Sequence, residues 1–388
     1  MLKMRSTDLI IRRVFSSLTS LRLQPFSTQP AIQERLETFR TTENSPLNHT
    51  EDHIGQFYRI PPETKKQLFL YGGLAKSYEI QTKTFTETCF MVRKPAVDII
   101  YCMKTIDYSK PAIRFVMYGK KGNGKTLSLA HILHYALESK FLIVHVPWVG
   151  NWMRRCKESS NSEVKEGFID LNIDAAAWLI HFKNQNAHLL GDPELKVAED
   201  HVWNKRETTP KDAPLTELVE FGINRIKYAS RCVVALAEEI KKLSKAGKCK
   251  TFVAVDGFNA LFYPQTNILT EKKQVVHPSK VTLTEAFLNL TKFDWNNGVA
   301  VVIVDEIAIG EKDQISHLPR YLLGKEGFEH MDPFVPILVS EYTPKELKSC
   351  MDYYRERKWV QPLPGQDEEL TFLSASNPYR LMLLCNPL

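Results

Sequence analysis

Residues 119–126 read Gly-Lys-Lys-Gly-Asn-Gly-Lys-Thr, a complete G-x-x-x-x-G-K-[ST] phosphate loop, and they restrict the fold more than any other stretch of the chain. The apolar run Ile113–Tyr118 before the loop reads as a strand. Leu127–Leu137 after it reads as a helix, and Phe141–Val146 as a second strand. That order is the setting a phosphate loop needs. Glycines let the backbone approach phosphates with no β-carbon in the way. Successive amides then point inward as an anion nest, and the helix start adds its positive end. Gly119, Lys120, Lys121, Gly122, Asn123, Gly124, Lys125 and Thr126 are therefore the expected nucleotide contacts. Lys125 is expected to reach the β- and γ-phosphates, and the Thr126 hydroxyl to bind Mg2+.

Three further apolar runs follow: Thr251–Asp256, Gly298–Val304 and Phe334–Ser340, with Pro336 pushing the last towards a sheet edge. Nearly continuous apolar strands belong to a parallel sheet covered on both faces. The expected fold is α/β, an AAA-like P-loop NTPase domain over residues 81–340. It carries a helical insertion at about 148–250 and is followed by a small, mostly helical C-terminal region, 341–388. Thr343, Pro344 and Glu346 form a capping-box start for a helix in that region. Residues 29–80 are polar and turn-rich and read as an extended arm.

A phosphate-bound metal needs an acid at the end of another strand. Asp256 closes TFVAVD and Asp305 closes VVIVDE. In an AAA-like order the third strand carries the metal acid and the fourth a sensor, which favours Asp256. Asp305 remains the alternative, because Glu306 beside it is placed like a residue that orients attacking water. After Asp256 come Gly257, Phe258 and Asn259, with no glutamate. With Asp256 on the metal, the usual base is missing, and the site is expected to bind well and turn over poorly.

Composition bounds the remaining classes. Lys3, Arg5, Arg12, Arg13 and Arg22 stand against one acid, Asp8, in residues 1–28, which thus hold most of the net charge of +6. An Arg-, Ser- and Leu-rich start of this kind is the pattern of a mitochondrial transit peptide. The rest is no strongly basic domain, so RNA contacts must come from local patches. Two stretches qualify: Trp152 with Arg154, Arg155 and Lys157, and the lysines 241, 242, 245, 248 and 250. Seven cysteines without a CxxC pair argue against structural zinc and a disulfide framework. No apolar run is long enough to span a membrane. Thr291-Lys292-Phe293-Asp294 matches a guanine-reading pattern but precedes a strand instead of following one, so it reads as chance. His131 and His134 read as core histidines.

The segments KTFTETCFMVRKPA, YGKKGNGKTLSL, VWNKRETT, VAVDGFNALF, DPFVPILVSEYTPKE and LSASNP together closely resemble the death-associated protein 3 family of the mitochondrial ribosomal small subunit. The resemblance spans roughly residues 80–378. It implies an AAA-like P-loop domain, GTP or GDP as the nucleotide with Mg2+, and a seat in the small-subunit head near the intersubunit face. The implied partners are small-subunit ribosomal RNA and ribosomal proteins, with large-subunit bridge contacts, in the mitochondrial matrix. An association with apoptosis is also implied. By position, the loop residues bind phosphate and Asp256 takes the acid role. From the residues themselves ATP stays open, since no base-reading motif is found.

Overall fold

A computed structural model describes residues 38–270, 272–309 and 316–386, so the transit peptide expected over residues 1–28 lies outside the described residues. Five of the apolar runs form one parallel sheet. Its strands are β1 (Ile113–Tyr118), β2 (Leu142–Val146), β3 (Thr251–Val255), β4 (Gly298–Ile303) and β5 (Val335–Leu338), in the order β5-β1-β4-β3-β2. β4 therefore lies between the strand that feeds the loop and the strand that ends at Asp256. Among the described residues β5 pairs only with β1, and it carries Pro336, whose missing N–H suits an edge.

Alternate residues of each strand point to opposite faces. Val116, Val144, Val253 and Val302 join one core, while Phe115, Ile143, Phe252 and Val301 join another. The second core is covered by α1 (Lys94–Thr105) and by α2 (Lys125–Glu138), the helix of the phosphate loop. The first is covered by α3 (Asn172–Gln185), α4 (Leu215–Asn224), α5 (Ala229–Lys245) and α6 (Thr282–Leu290). Residues 148–250 thus hold helices together with two short two-residue ladders, Ser160–Asn161 with Ile169–Asp170 and His201–Val202 with Thr208–Thr209.

The expected extended arm is not what residues 38–80 form. Phe57–Arg59 pairs antiparallel with Cys89–Met91, and helices run over Pro62–Phe69 and Lys76–Phe85. Pro62 starts a helix instead of breaking one, because the first helical position needs no N–H. The turn-forming residues build short capped turns that carry Tyr58, Leu68 and Phe69 into the core. His49 bonds to His131 of α2 (Nδ1 to Nε2, 2.8 Å), so this segment is docked on the loop's own helix.

The C-terminal region contains α7 (Pro344–Glu356), a helix over Gln366–Ser374 and α8 (Pro378–Leu384). α7 opens with the capping box read from the sequence. Thr343 Oγ1 accepts from the Glu346 amide, and Glu346 Oε2 accepts from the Thr343 amide. Tyr353, Tyr354, Leu347 and Cys350 of α7 pack with Phe57, Phe85 and Leu381 into a third, smaller core beside the loop.

Candidate nucleotide site

The loop leaves β1 at Tyr118 and enters α2 at Lys125, with three glycines in positive-φ backbone. At Gly119 (φ 147°) a β-carbon would lie 2.2 Å from the Val339 carbonyl oxygen. At Gly122 (φ 86°) it would lie 2.7 Å from Asn377 Oδ1. Only glycine fits either position.

The chain clamps the loop from two sides. Arg93, almost fully buried, donates to the Asn123 carbonyl (2.6 Å) and to the Ser340 and Glu341 carbonyls (3.0 and 3.2 Å). Its Nε also binds Glu346 Oε1 at 3.0 Å, an ion pair with side chains 6% and 3% exposed. Asn377 Nδ2 donates to the Lys121 carbonyl (2.9 Å) and to Asn123 Oδ1 (2.8 Å), and the Tyr379 amide donates to the Gly122 carbonyl (3.1 Å). Asn123 Nδ2 reaches the Val339 carbonyl at 3.0 Å. The nest is therefore held by residues from both ends of the chain. Sequence reasoning gave Arg93 and Asn377 no role and knew Glu346 only as a cap.

Inside this frame the structure brings four of the sequence-predicted acids and donors together. Thr126 Oγ1 donates to Asp256 Oδ2 at 2.7 Å. Lys125 Nζ pairs with Asp305 Oδ2 at 2.9 Å and donates to the Gly119 and Lys120 carbonyls. The ends of β3 and β4 are tied by Asn259, which donates to the Asp305 carbonyl and accepts from its amide. Asp305 thus sits on the lysine, and Asp256 on the threonine that would hold a metal. Glu306 opens a short turn capped by Asp305 Oδ1, outside the cavity lining to which Asp305 and Ile307 belong.

The site fits Mg2+ chemically. Asp256 is buried and, among the described residues, its Oδ1 has no hydrogen-bond partner. Its carboxyl is pushed up to about 7, first by burial and further by Asp305, against the Thr126 hydrogen bond and the charge of Lys125. A divalent cation would supply the counter-charge that this carboxylate lacks. Ser128 Oγ, one turn into α2, is likewise buried without a partner.

The loop opens onto a cavity of ≈ 350 Å³, within the range of small-molecule sites. One wall is the loop and the start of α2; the other comes from the helix Lys76–Phe85, α7 and α8.

The other sequence candidates fall elsewhere. Lys241 is buried, and its Nζ binds both carboxylate oxygens of Asp294, at 2.7 and 2.8 Å. Asp294 of the Thr291–Asp294 motif is therefore engaged there and does not line the cavity. Trp152 is 6% exposed and packs on Phe287, so it offers no face to a nucleic-acid base. His131 and His134 are buried in the second core's helix, as expected of core histidines.

The family model for mitochondrial ribosomal death-associated protein 3 matches residues 90–384. The chain is 41% identical over 350 residues to the small ribosomal subunit protein mS29 of Bos taurus, covering 89% of this chain and 87% of that protein. It is 39% identical over 363 residues to the mS29 of Mus musculus, covering 92% of each.

Proposed function

The chain belongs to the mitochondrial ribosomal death-associated protein 3 family, and we propose that it is a structural protein of the mitochondrial small ribosomal subunit that holds a purine nucleotide as part of its fold. Its place is the matrix. Its partners are the small-subunit ribosomal RNA and neighbouring ribosomal proteins, with contacts to the large subunit. GTP or GDP with Mg2+ is the proposed occupant.

One observation carries the nucleotide reading. The chain's own residues fix the phosphate nest on both sides, yet Asp256 Oδ1 and Ser128 Oγ are buried and have no partner among the described residues. A buried unsatisfied polar atom costs about 1–3 kcal/mol. A phosphate–metal pair would remove both costs. In this reading Lys125 offers its charge to the phosphates, and Thr126 and Asp256 hold the metal, which would neutralise phosphate charge. The backbone of 119–124 supplies the remaining donors.

Little speaks for turnover. Gly257, Phe258 and Asn259 follow Asp256, and Asn259 is spent on tying Asp305. A ligand bound only by the folded state stabilises by RT ln(1 + [L]/Kd), about 4 kcal/mol at a thousandfold excess over Kd. The nucleotide would thereby stiffen the end of the sheet and the C-terminal layer packed on the loop.

The test is nucleotide content. Purified wild type, Lys125→Ala and Thr126→Ala are denatured and the released nucleotide is quantified by chromatography. We expect about one purine nucleotide per wild-type chain and none above background in the variants. Undiminished nucleotide in both variants would place the cradle elsewhere.

A further inference from the structure

The last two helices carry large apolar side chains in solvent. In the helix Gln366–Ser374, Glu368 and Glu369 are exposed, and one turn later so are Phe372 and Leu373, at 84% and 51%. Residues at these spacings share one helix face. In α8, Tyr379, Leu383 and Leu384 are exposed in the same way, with Arg380 beside them. A short turn joins the two helices, which touch each other. Phe372 is the most exposed large apolar side chain among the described residues. One exposed leucine is ordinary, but five large apolar side chains on two adjoining helices make a surface that partners cover.

This face does not belong to a loose tail. Asp367, at the start of the first helix, is paired with Arg355 of α7. Leu381 and Cys385 are buried in the third core and hold the inner side of α8. Asn377 caps α8, its Oδ1 accepting from the Arg380 amide at 3.0 Å, while its Nδ2 and the Tyr379 amide grip the phosphate loop. The face is set in place before anything docks, which lowers the entropic cost of binding.

Charge decides what fits. Asp367 is engaged by Arg355, whereas Glu368 and Glu369 have no ion pair among the described residues. Arg380 is the single cation on these two helices. A phosphate backbone or an anionic lipid surface would meet two carboxylates and one guanidinium. A second copy would bring the same negative excess to both sides of a two-fold contact. A helix whose apolar stripe ends in Lys or Arg complements both parts: the stripe covers Phe372, Leu373, Leu383 and Leu384, and the cations meet Glu368 and Glu369.

We propose that this face is the docking site of a basic amphipathic helix from a neighbouring protein of the small subunit. The inference rests on the ribosomal reading above and adds the surface and the chemistry of the partner that covers it.

The experiment places p-benzoylphenylalanine, a photo-crosslinking phenylalanine, at position 372 of the full chain assembled into the small subunit. Crosslinked peptides are identified by mass spectrometry. The expected product is a ribosomal-protein segment with apolar residues at helical spacing and Lys or Arg at one end. Leu383→Asp should lower its yield about tenfold, because a charge then lies under the partner's apolar stripe. Glu368→Lys with Glu369→Lys should lower it about threefold or more by turning attraction into repulsion. Nucleotide content and melting temperature should stay unchanged in both. If Leu383→Asp is too unstable to assemble, the paired lysine substitution alone decides. No crosslink, a yield that neither change lowers, or crosslinks only to ribosomal RNA, to lipid, to a second copy or to this chain's own segments would overturn the inference while the ribosomal reading stands. A wild-type chain that does not sediment with the small subunit overturns both.

Discussion

At the phosphate loop, Asp256 is buried with Oδ2 on Thr126, while Oδ1 has no hydrogen-bond partner among the described residues. In the helical insertion, Glu239 of α5 is buried as deeply, yet both of its oxygens are engaged: Oε2 by the Ala198 amide, Oε1 by His201 Nε2 at 3.1 Å and by Lys242 Nζ at 3.0 Å. Glu199, His201 and Glu239 bring ligand atoms within 4.8 Å of one another, a spacing that by itself suits a metal ion. Lys242 already fills the role of that cation, bridging Glu239 to Glu199 at 2.7 Å. The two regions use the same chemical groups. They differ in whether the chain closes the bonds itself, and an unclosed set of bonds is what marks a ligand site.

The first way to break the comparison is to open the frame that holds the loop. Arg93→Met removes the charge facing buried Glu346 and the donor to Asn123. Losing one partner of a buried ion pair costs about 3–5 kcal/mol. Denaturant unfolding should show that loss, together with loss of retained nucleotide. A variant of near wild-type stability would mean that the clamp is incidental.

Glu239→Gln is the control on the closed cluster. It weakens the contacts of His201 and Lys242 and should cost about 2 kcal/mol, as for charge-assisted hydrogen bonds. Nucleotide content should not change, and Zn2+ should not raise the melting temperature of the wild type. A Zn2+-dependent rise that the substitution removes would turn the closed cluster into a metal site.

A smaller effect separates the two carboxylates by sign. The carboxyl of Asp256 in the folded chain, at about 7, lies above its unfolded value near 4, so the folded state holds the proton more tightly between those values. The nucleotide-free protein therefore gains stability as pH falls from 7.5 to 5.5, by about 2 kcal/mol from this group. Glu239 goes the other way. Burial raises its pKa, but His201, the Ala198 amide and Lys242 outweigh that and lower it, so its contribution is present above the ordinary carboxylate range and lost only in stronger acid. His49, held down to about 4 chiefly by burial, loses its contribution as pH falls below about 6.5. The quantity to read is thus the difference between wild type and Asp256→Asn, which should slope over pH 5.5–7.5, while the Glu239→Gln difference stays flat. Two flat differences would remove the distinction.

Much of this was legible because it is local. The loop, its strand and its helix are consecutive, the five apolar runs became the five strands of one sheet, and the Thr343–Glu346 cap lies within one turn. The rest depends on partners far away in the chain. Arg93 meets Glu346 253 residues later, and Asn377 meets Lys121 256 residues earlier, so no spacing signals either contact. Residues 38–80 misled because Pro, Asn and Gly suggest an extended arm when read alone, whereas here short turns with Ser45 and Thr50 at their N-caps precede the segments that bury Tyr58, Leu68 and Phe69. Trp152 misled because an aromatic beside arginines reads as an RNA contact, whereas its ring is buried in the core against Phe287.

The central claim is that the nucleotide is held and not spent. Single-turnover GTP hydrolysis on the assembled small subunit, wild type against Glu306→Gln, tests it most directly. The account predicts slow turnover, at or below about 10⁻² s⁻¹, the rate of an unassisted switch GTPase, and no change on substitution. Fast hydrolysis that collapses in Glu306→Gln would contradict it, making the site an enzyme with Asp305, not Asp256, on the metal.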